Sequence, residues 1–514
     1  MNDRPLWADL HNHNGVGYGR GSLDRSYEIA KGARLDAYCF TPHGLWHDRP
    51  ASDPRMRAFH EEGFHLVRRN WDRVVEQANA ENADGSFVAF IGFEWHSSEF
   101  GDYHVIFPGD SGELFAPSRA ADLRAFCREH GALMIPHHVA YRQGWRGVNW
   151  AEVDPELSPV VEVFSEHGCG MEAESPWPMA GHSMGGVERS QTFIEELKRG
   201  RVAGVVASTD NHWGHPASYG EGLTGIWADG HDRASVFDAI RMRHTYAATG
   251  DRIGLKVEMG GGMMGDVLAA GARRDLRAEL DAPGAVDYVE IVKNGAVALH
   301  ESPGSAAAGH CRAVRVAAPS PGLPLCPSDD LCTVRIEFGW DAMTSKEVTD
   351  WQVRAWVKGG QVVGVEPCFA SGAGSVEKLN RVLSVSPSEV TFEAFTSRLN
   401  TRATSAVVLR LMGCVDTRVE VTVQAEREGE RCGCELSGSV IELLQRDEWS
   451  AVCDTFSAPK VRLGRACHGS ETEWRIDWTD PEPGENDWYL VKVQQKNGHA
   501  AWSSPIWFTK EGEQ

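Results

Sequence analysis

The sequence predicts an α/β region over residues 1–253 followed by an antiparallel β-sandwich over 254–514. Three observations carry this. Short apolar runs alternate with helix-like stretches as far as residue 250 or so. Beyond that point, alternation at period two between Gly and Asn turn signals replaces the helices. Finally, 514 residues exceed what one ordinary domain holds.

In the first region the apolar runs are 37–41, 87–93, 132–136, 160–164 and 202–208. Between them lie helix-like segments at 22–32, 53–83, 118–130 and 187–200. Strands alternating with helices imply a parallel sheet covered on both faces, open or closed into a barrel. In the second region the alternating runs are 288–293 before Asn294-Gly295, 333–338, 352–358 before Gly359-Gly360, and 488–494. Such runs with Gly/Asn turns mark antiparallel β structure. Trp488 and Trp502 read as its core, and 303–327, rich in Gly, Ala, Ser and Pro, reads as a long loop.

Net charge is −22, from 51 basic and 73 acidic residues. A chain this acidic is repelled by nucleic acid and anionic membranes, which points to a small-molecule substrate. No apolar run approaches 18 residues, so no membrane span is expected. The first residues lack a basic segment followed by an apolar one, so no signal peptide is expected. The twelve cysteines are scattered without a CxxC pair, and only Cys432 and Cys434 lie close in sequence. That argues against a disulfide framework or zinc ribbon, and a cytoplasmic location is expected. The sequence leaves the oligomeric state open, a homo-oligomer included.

Chemistry-bearing residues recur at predicted strand ends. His11 and His13 stand at i and i+2, so in a strand both imidazoles face one point. His43 follows 38–42, Glu94 follows 90–93, and His104 lies within 102–107. His137 and His138 follow 133–136, and Asp210 and His212 follow 205–209, again at i and i+2. Barrel enzymes carry catalytic groups at these C-terminal strand ends. Imidazole and carboxylate donors without thiolate suit Zn, Mn or Fe(II). Two adjacent cations would lower the pKa of a shared water and stabilise developing negative charge. Strand alternation admits only one of His137 and His138 to the interior, and the preceding residues favour His137.

The pieces DLHNH (9–13), FTPHG (40–44), IGFE (91–94), His104 of DYHVIF, MIPHH (134–138) and STDNH (208–212) resemble the PHP family of polymerase and histidinol phosphatase domains. They occur in the expected order. GLTGIWA (222–228), RHTYAATGDRI (243–253) and 488–508 resemble a branch of that family with an appended β domain. The resemblance implies a distorted (β/α)7 TIM-like barrel with a di- or trinuclear site of two or three divalent ions (Mn, Fe or Zn). It implies one metal on His11, His13, Glu94 and Asp210, a second on Glu94, His104 and His137, and a third on His43 and His212. Two departures concern the third metal. Pro42 stands where Asp is common, and 15–19 lacks a further histidine common in trinuclear members.

The expected activity is metal-dependent hydrolysis of a phosphoester by a metal-bridging hydroxide, with Asp210 and His212 catalytic. Hydrolysis of a carboxylic ester, lactone or amide by the same cluster is the alternative. A noncatalytic scaffold is the alternative of another class. Arg20, Arg142 and Arg146, in loops after ligand-bearing strands, are candidates for substrate anions, and His138 and His167 for further substrate contacts. Glu162 and Glu166 are candidates to support the ligands. Trp46, Trp95, Trp145 and Trp213 flank the ligand motifs as candidate pocket walls.

Overall fold

The computed structural model describes residues 3–180, 186–303, 311–313, 330–339, 348–371, 377–397, 404–427, 429–445, 448–453 and 458–510. Within them the chain is mixed α/β, dominated by strands in several sheets with few helices. None of the described helices is long and apolar enough to cross a membrane.

The first half runs β1 (Leu6–Asp9), α1 (Leu23–Gly32), β2 (Ala37–Phe40), β3 (His43–Trp46), α2 (Pro54–Glu81), β4 (Val88–His96), β5 (Tyr103–Ile106), α3 (Ala120–His130) and β6 (Leu133–Pro136). It continues with β7 (Val160–Ser165), β8 (Gly168–Cys169), α4 (Phe193–Lys198), β9 (Gly204–Ala207), β10 (Leu223–Ile226), α5 (Arg233–Arg241) and β11 (Thr245–Ala248). Local chemistry sets the helix ends. The side chains of Ser22, Asp53 and Asp232 accept from the first-turn amides of α1, α2 and α5. Gly131, at φ +64°, closes α3 in the left-handed conformation that glycine adopts freely. The helix expected over 187–200 shortens to α4 because tertiary acceptors capture its leading amides. Glu188 N donates to Ala140 O, and Phe193 N to Gly170 O.

The expected parallel sheet is mixed. β1, β2 and β4 are parallel, as are β7 and β9. β5, however, lies antiparallel between β4 and β6. Its connection to β4, residues 97–102, is too short for a crossover helix and allows only an antiparallel return. β10 is antiparallel to β1 and β11. The hydrogen-bonded ladders stay open among the described residues, with β7, β8 and β9 forming their own sheet. Bonds outside the ladders bring that sheet to its neighbours. Asp210 N donates to His11 O and Thr245 Oγ1 to Val205 O, both at 2.8 Å.

The second half continues the same sheet. β11 pairs with Ala500–Ser503, which pairs with Asp487–Gln495. Asp487–Gln495 in turn pairs with Val286–Lys293 and Ile506–Thr509. Trp488 and Trp502 are buried, in a core continuous with that of the first half. A second core lies under Asp330–Phe338, Val348–Cys368, Ala406–Arg427 and Lys460–His468. Asn294 and Gly295, both at positive φ, make the expected hairpin turn. Gly359-Gly360 does not turn the chain. The strand runs on to Cys368 with a register shift between Lys358 and Gly360, since Gly359 at φ +74° admits a bulge. Of 303–327, residues 304–310 and 314–327 lie outside the described residues, while Cys311–Ala313 pairs with Glu473–Thr479.

Cys432 is disulfide-bonded to Cys453, 21 residues further on. Its sequence neighbour Cys434 lies two residues along the same strand, where side chains stand roughly 6–7 Å apart and cannot bridge. The eight other described cysteines with side chains are free.

Candidate metal centre

Strand register assembles the centre. His43 on β3 pairs with Glu94 on β4, and Glu94 with His104 on β5. Directly opposed residues share a face, so three donors line up across three strands. β1 delivers His11 and His13 from its C-terminal end, and β9 delivers Asp210 and His212. Asp9 joins these two ends by accepting from Thr209 Oγ1, Thr209 N and Ala217 N at 2.6–3.1 Å. Asp210 N donates to His11 O and His13 N to Asn211 O, which holds the two strand ends in register. Asp210 itself sits at φ +53°, a left-handed conformation that Asp tolerates better than most residues.

Glu94 is the hub. Its Oε2 lies 3.1 Å from His43 Nε2, 3.3 Å from His13 Nε2 and 3.6 Å from His11 Nε2. Its Oε1 lies 3.0 Å from His137 Nε2 and 3.2 Å from His96 Nδ1. Asp210 is a second hub, with Oδ1 3.0 Å from His13 Nε2 and 3.5 Å from His11 Nε2. Its Oδ2 lies 3.2 Å from His167 Nε2. Asp102 is a third, 3.2 Å from both His96 Nδ1 and His138 Nε2 and ion-paired with Arg146. Supporting acids sit behind the imidazoles. Glu162 faces His11 Nδ1 at 3.2 Å, and Glu166 faces His212 Nδ1 at 3.1 Å.

Burial governs protonation. It pushes His13 and His138 down to about 4 and His137 to about 3, and holds His43 and His104 well below the ordinary imidazole value. At His11 burial acts in the same direction, but Asp210 and Glu162 outweigh it and raise the value. Burial lifts Glu162 to about 7. Most of the imidazoles are therefore neutral at pH 7, as ligation requires.

The donors also fit cations by what they lack. Both ring nitrogens of His104 are buried without a hydrogen-bond partner, and His11 Nε2, Glu94 Oε2, His137 Nε2 and His138 Nε2 meet their charged neighbours without the alignment of a hydrogen bond. Buried polar atoms left without an aligned hydrogen bond are costly, and a cation held among these lone pairs would satisfy them. Three-residue groups able to hold an ion include His11–His104–His137, His13–His43–His212, His11–His13–Asp210 and His43–Glu94–His96.

All eight residues expected as ligands therefore lie in these groups. His104 and His137 converge with His11, and Glu94 additionally reaches His43 and His13. His137 and His138 both enter, although strand alternation would admit one. β6 ends at Pro136, and His138 at φ +33° turns its ring back toward the cluster. His167 reaches Asp210. Arg146 reaches the cluster but is engaged by Asp102 and stacks over Trp46 at 4.8 Å. Arg20 and Arg142 are exposed, as is Trp145, whereas Trp95 is fully buried. Three neighbours escaped the sequence reading: His96, Asp102 and Tyr18. Tyr18 stacks on His43 at 3.6 Å, within the stretch that lacks the further histidine. His96 and Asp102 stand two residues from Glu94 and His104, so the same i, i+2 rule could have found them.

Comparison with known proteins gives a partial match. A family described as "Protein of unknown function (DUF3604)" matches residues 45–114 and 180–276, which include Glu94, His104, Asp210 and His212. An uncharacterized protein of Chlamydia pneumoniae is 25% identical over 254 residues, 45% of this chain and 40% of the relative. One of Chlamydia trachomatis is 26% identical over 250 residues, 43% of this chain and 39% of the relative. The chain thus spans about two fifths of the length of these relatives. A solved two-domain protein from Bacteroides vulgatus, described as containing a predicted PHP-like metal-dependent phosphoesterase, is 16% identical with a TM-score of 0.30. That match covers 56% of this chain and 78% of that one.

Proposed function

We propose that this chain is a metal-dependent hydrolase of the PHP type, acting on a phosphoester of a small molecule through two or three divalent cations (Mn, Fe or Zn). One observation carries the reading. The two oxygens of buried Glu94 face two separate sets of imidazoles, His11, His13 and His43 on one side and His96 and His137 on the other. A carboxylate so placed would offer one oxygen to a cation on each side. The distorted (β/α)7 barrel and a division of the chain near residue 253 belong to the same proposal, supported by the ordered motifs between DLHNH and STDNH.

When bound, the cations supply Lewis acidity toward the substrate's electrophilic centre. The chain's own residues do the rest. Glu94 and the imidazoles would hold the cations, and Glu162 and Glu166 orient His11 and His212 through their outer nitrogens. Asp210, facing His167 through Oδ2, accepts the proton that hydrolysis releases. His138, tied to Asp102, contacts the substrate side, and His212 serves with Asp210.

A carboxylic ester, lactone or amide substrate is the second reading, favoured by a specific observation. Arg146 alone of the three arginines reaches the cluster, and Asp102 already neutralises it. A phosphoryl group would call for free guanidinium forks.

Elemental analysis of protein purified without chelator tests the proposal, with about two or three equivalents of Mn, Fe or Zn expected. Glu94→Gln should lose that metal together with hydrolysis of p-nitrophenyl phosphate and bis(p-nitrophenyl) phosphate. Turnover of p-nitrophenyl acetate or a lactone without phosphoesters selects the second reading. Metal content under about half an equivalent, not restored by added cations, sinks both and leaves a noncatalytic scaffold.

A further inference from the structure

We infer that the C-terminal half is part of the metal centre's support: Ser371 and Asn380 are positioning residues that hold the loop carrying Asp210 and His212. The inference rests on the hydrolase reading and names a role for residues outside the barrel motifs.

Asn211 lies between those two residues and points the other way. Its Nδ2 donates to Ser371 Oγ at 2.9 Å and to Glu221 Oε2 at 2.7 Å. Ser371 Oγ donates to Glu221 Oε1 at 3.3 Å, and Ser371 N donates to Ser218 Oγ at 3.0 Å. The four side chains are buried. Asn211 Oδ1 accepts from Trp213 N and His215 N, which folds the loop back on itself. His215 is gripped in turn. Asn380 Nδ2 donates to His215 Nε2 at 2.7 Å, and Asn380 Oδ1 accepts from Phe395 N at 2.7 Å. Two further links repeat the pattern: Tyr219 N donates to Phe369 O, and the Arg25 guanidinium donates to Lys378 O, Trp213 O and Gly214 O.

The loop is thus held from two sides. On one side it is bonded to the His11–His13 strand end; on the other, to Phe369, Ser371 and Asn380. Asp210 at φ +53° is a backbone conformation that surroundings must maintain. A buried amide whose two donors and two acceptor positions are all used fixes the loop against rotation, and through it the bearing of Asp210 Oδ1 and the His212 ring.

Ser371→Ala removes the hydroxyl without adding bulk, and Ser371→Thr restores it. Metal-free protein is titrated with Mn2+ by calorimetry, with melting temperature as a folding check. We expect Ser371→Ala to weaken the Asp210-dependent class of sites about 10–100-fold, leaving another class unchanged and melting near the parent. Ser371→Thr should recover most of the loss, and Asn380→Ala should reproduce it through His215. Parent-like Mn2+ affinity, within about twofold, in both Ser371→Ala and Asn380→Ala overturns the inference while leaving the hydrolase reading intact. So does weakening of every site in parallel with melting temperature, which is mere loss of fold. A parent chain that binds none of Mn2+, Fe2+ and Zn2+ overturns both.

Discussion

Replacing Arg335 with methionine removes the cation of a buried ion pair joining Asp330–Phe338 to Asp251 at the end of the first half. Asp251 is fully buried, and Arg335 Nη2 lies 2.8 and 3.0 Å from its two oxygens. Methionine keeps much of the side chain's length, so the change tests charge more than packing. Removing one partner of a buried pair costs about 3–5 kcal/mol. Neutral donors remain on Asp251: Tyr219 Oη at 2.7 Å, Gln495 Nε2 at 3.1 Å and Asn497 Nδ2 at 2.6 Å. They hold the expected loss near the lower limit, about 3 kcal/mol. For an unfolding unit of about 150–250 residues that lowers the melting midpoint by about 6–12 °C in calorimetry. The pH dependence follows from the same pair. Burial pushes the Asp251 carboxyl up, but Arg335 holds it well below its ordinary value of 3.8. Its folded value lies below its unfolded one, so in the parent the stabilisation is present above pH 3.8 and lost as pH falls through the folded value. Without Arg335, burial outweighs the remaining donors, the folded value rises above the unfolded one, and protonation relieves the variant. The gap between parent and variant should therefore shrink from pH 7 toward pH 5. A gap under about 1 kcal/mol at pH 7, or one that widens on acidification, refutes this account of how the halves are joined.

Three further outcomes are expected. Gly225→Ala would place a Cβ 2.1–2.5 Å from atoms of the fully buried Tyr246 ring, and should cost about 1–3 kcal/mol in urea denaturation; unchanged stability would mean that the ring has room to move. Arg146→Gln leaves Asp102 facing His96 and His138 without its cation, and should lower hydrolysis or metal affinity about 10–100-fold, whereas an unaltered rate removes Arg146 from the centre's support. Cys432→Ser opens the loop closed across 21 residues, and loses about 3 kcal/mol on the chain-entropy account. Reductant should shift the parent's unfolding by the same amount and leave the variant unmoved.

The sequence alone was sufficient for what depends on neighbours along the chain. Alternation of apolar runs with helix-like segments located β2, β4, β6, β7 and β9 within a few residues, and the period-two pattern located Val286–Lys293 and Asp487–Gln495. The i, i+2 spacing picked out His11 with His13 and Asp210 with His212 by strand alternation, although both pairs lie just beyond their strands, which end at Asp9 and Ala207. Only the tertiary structure decided what depends on distant segments. Strand direction could not be read from runs buried on both faces, so β5 and β10 emerged antiparallel. The bulge at Gly359 and the Cys432–Cys453 bond were set by partners far along the chain. His137 and His138 face the same cluster because the strand ends one residue before them. Glu94 becomes a hub, and Ser371 a neighbour of the Asp210 loop, because register and long-range hydrogen bonds carry their backbones there. Periodicity fixes the direction of a side chain relative to its own strand, and packing of remote strands fixes what it meets.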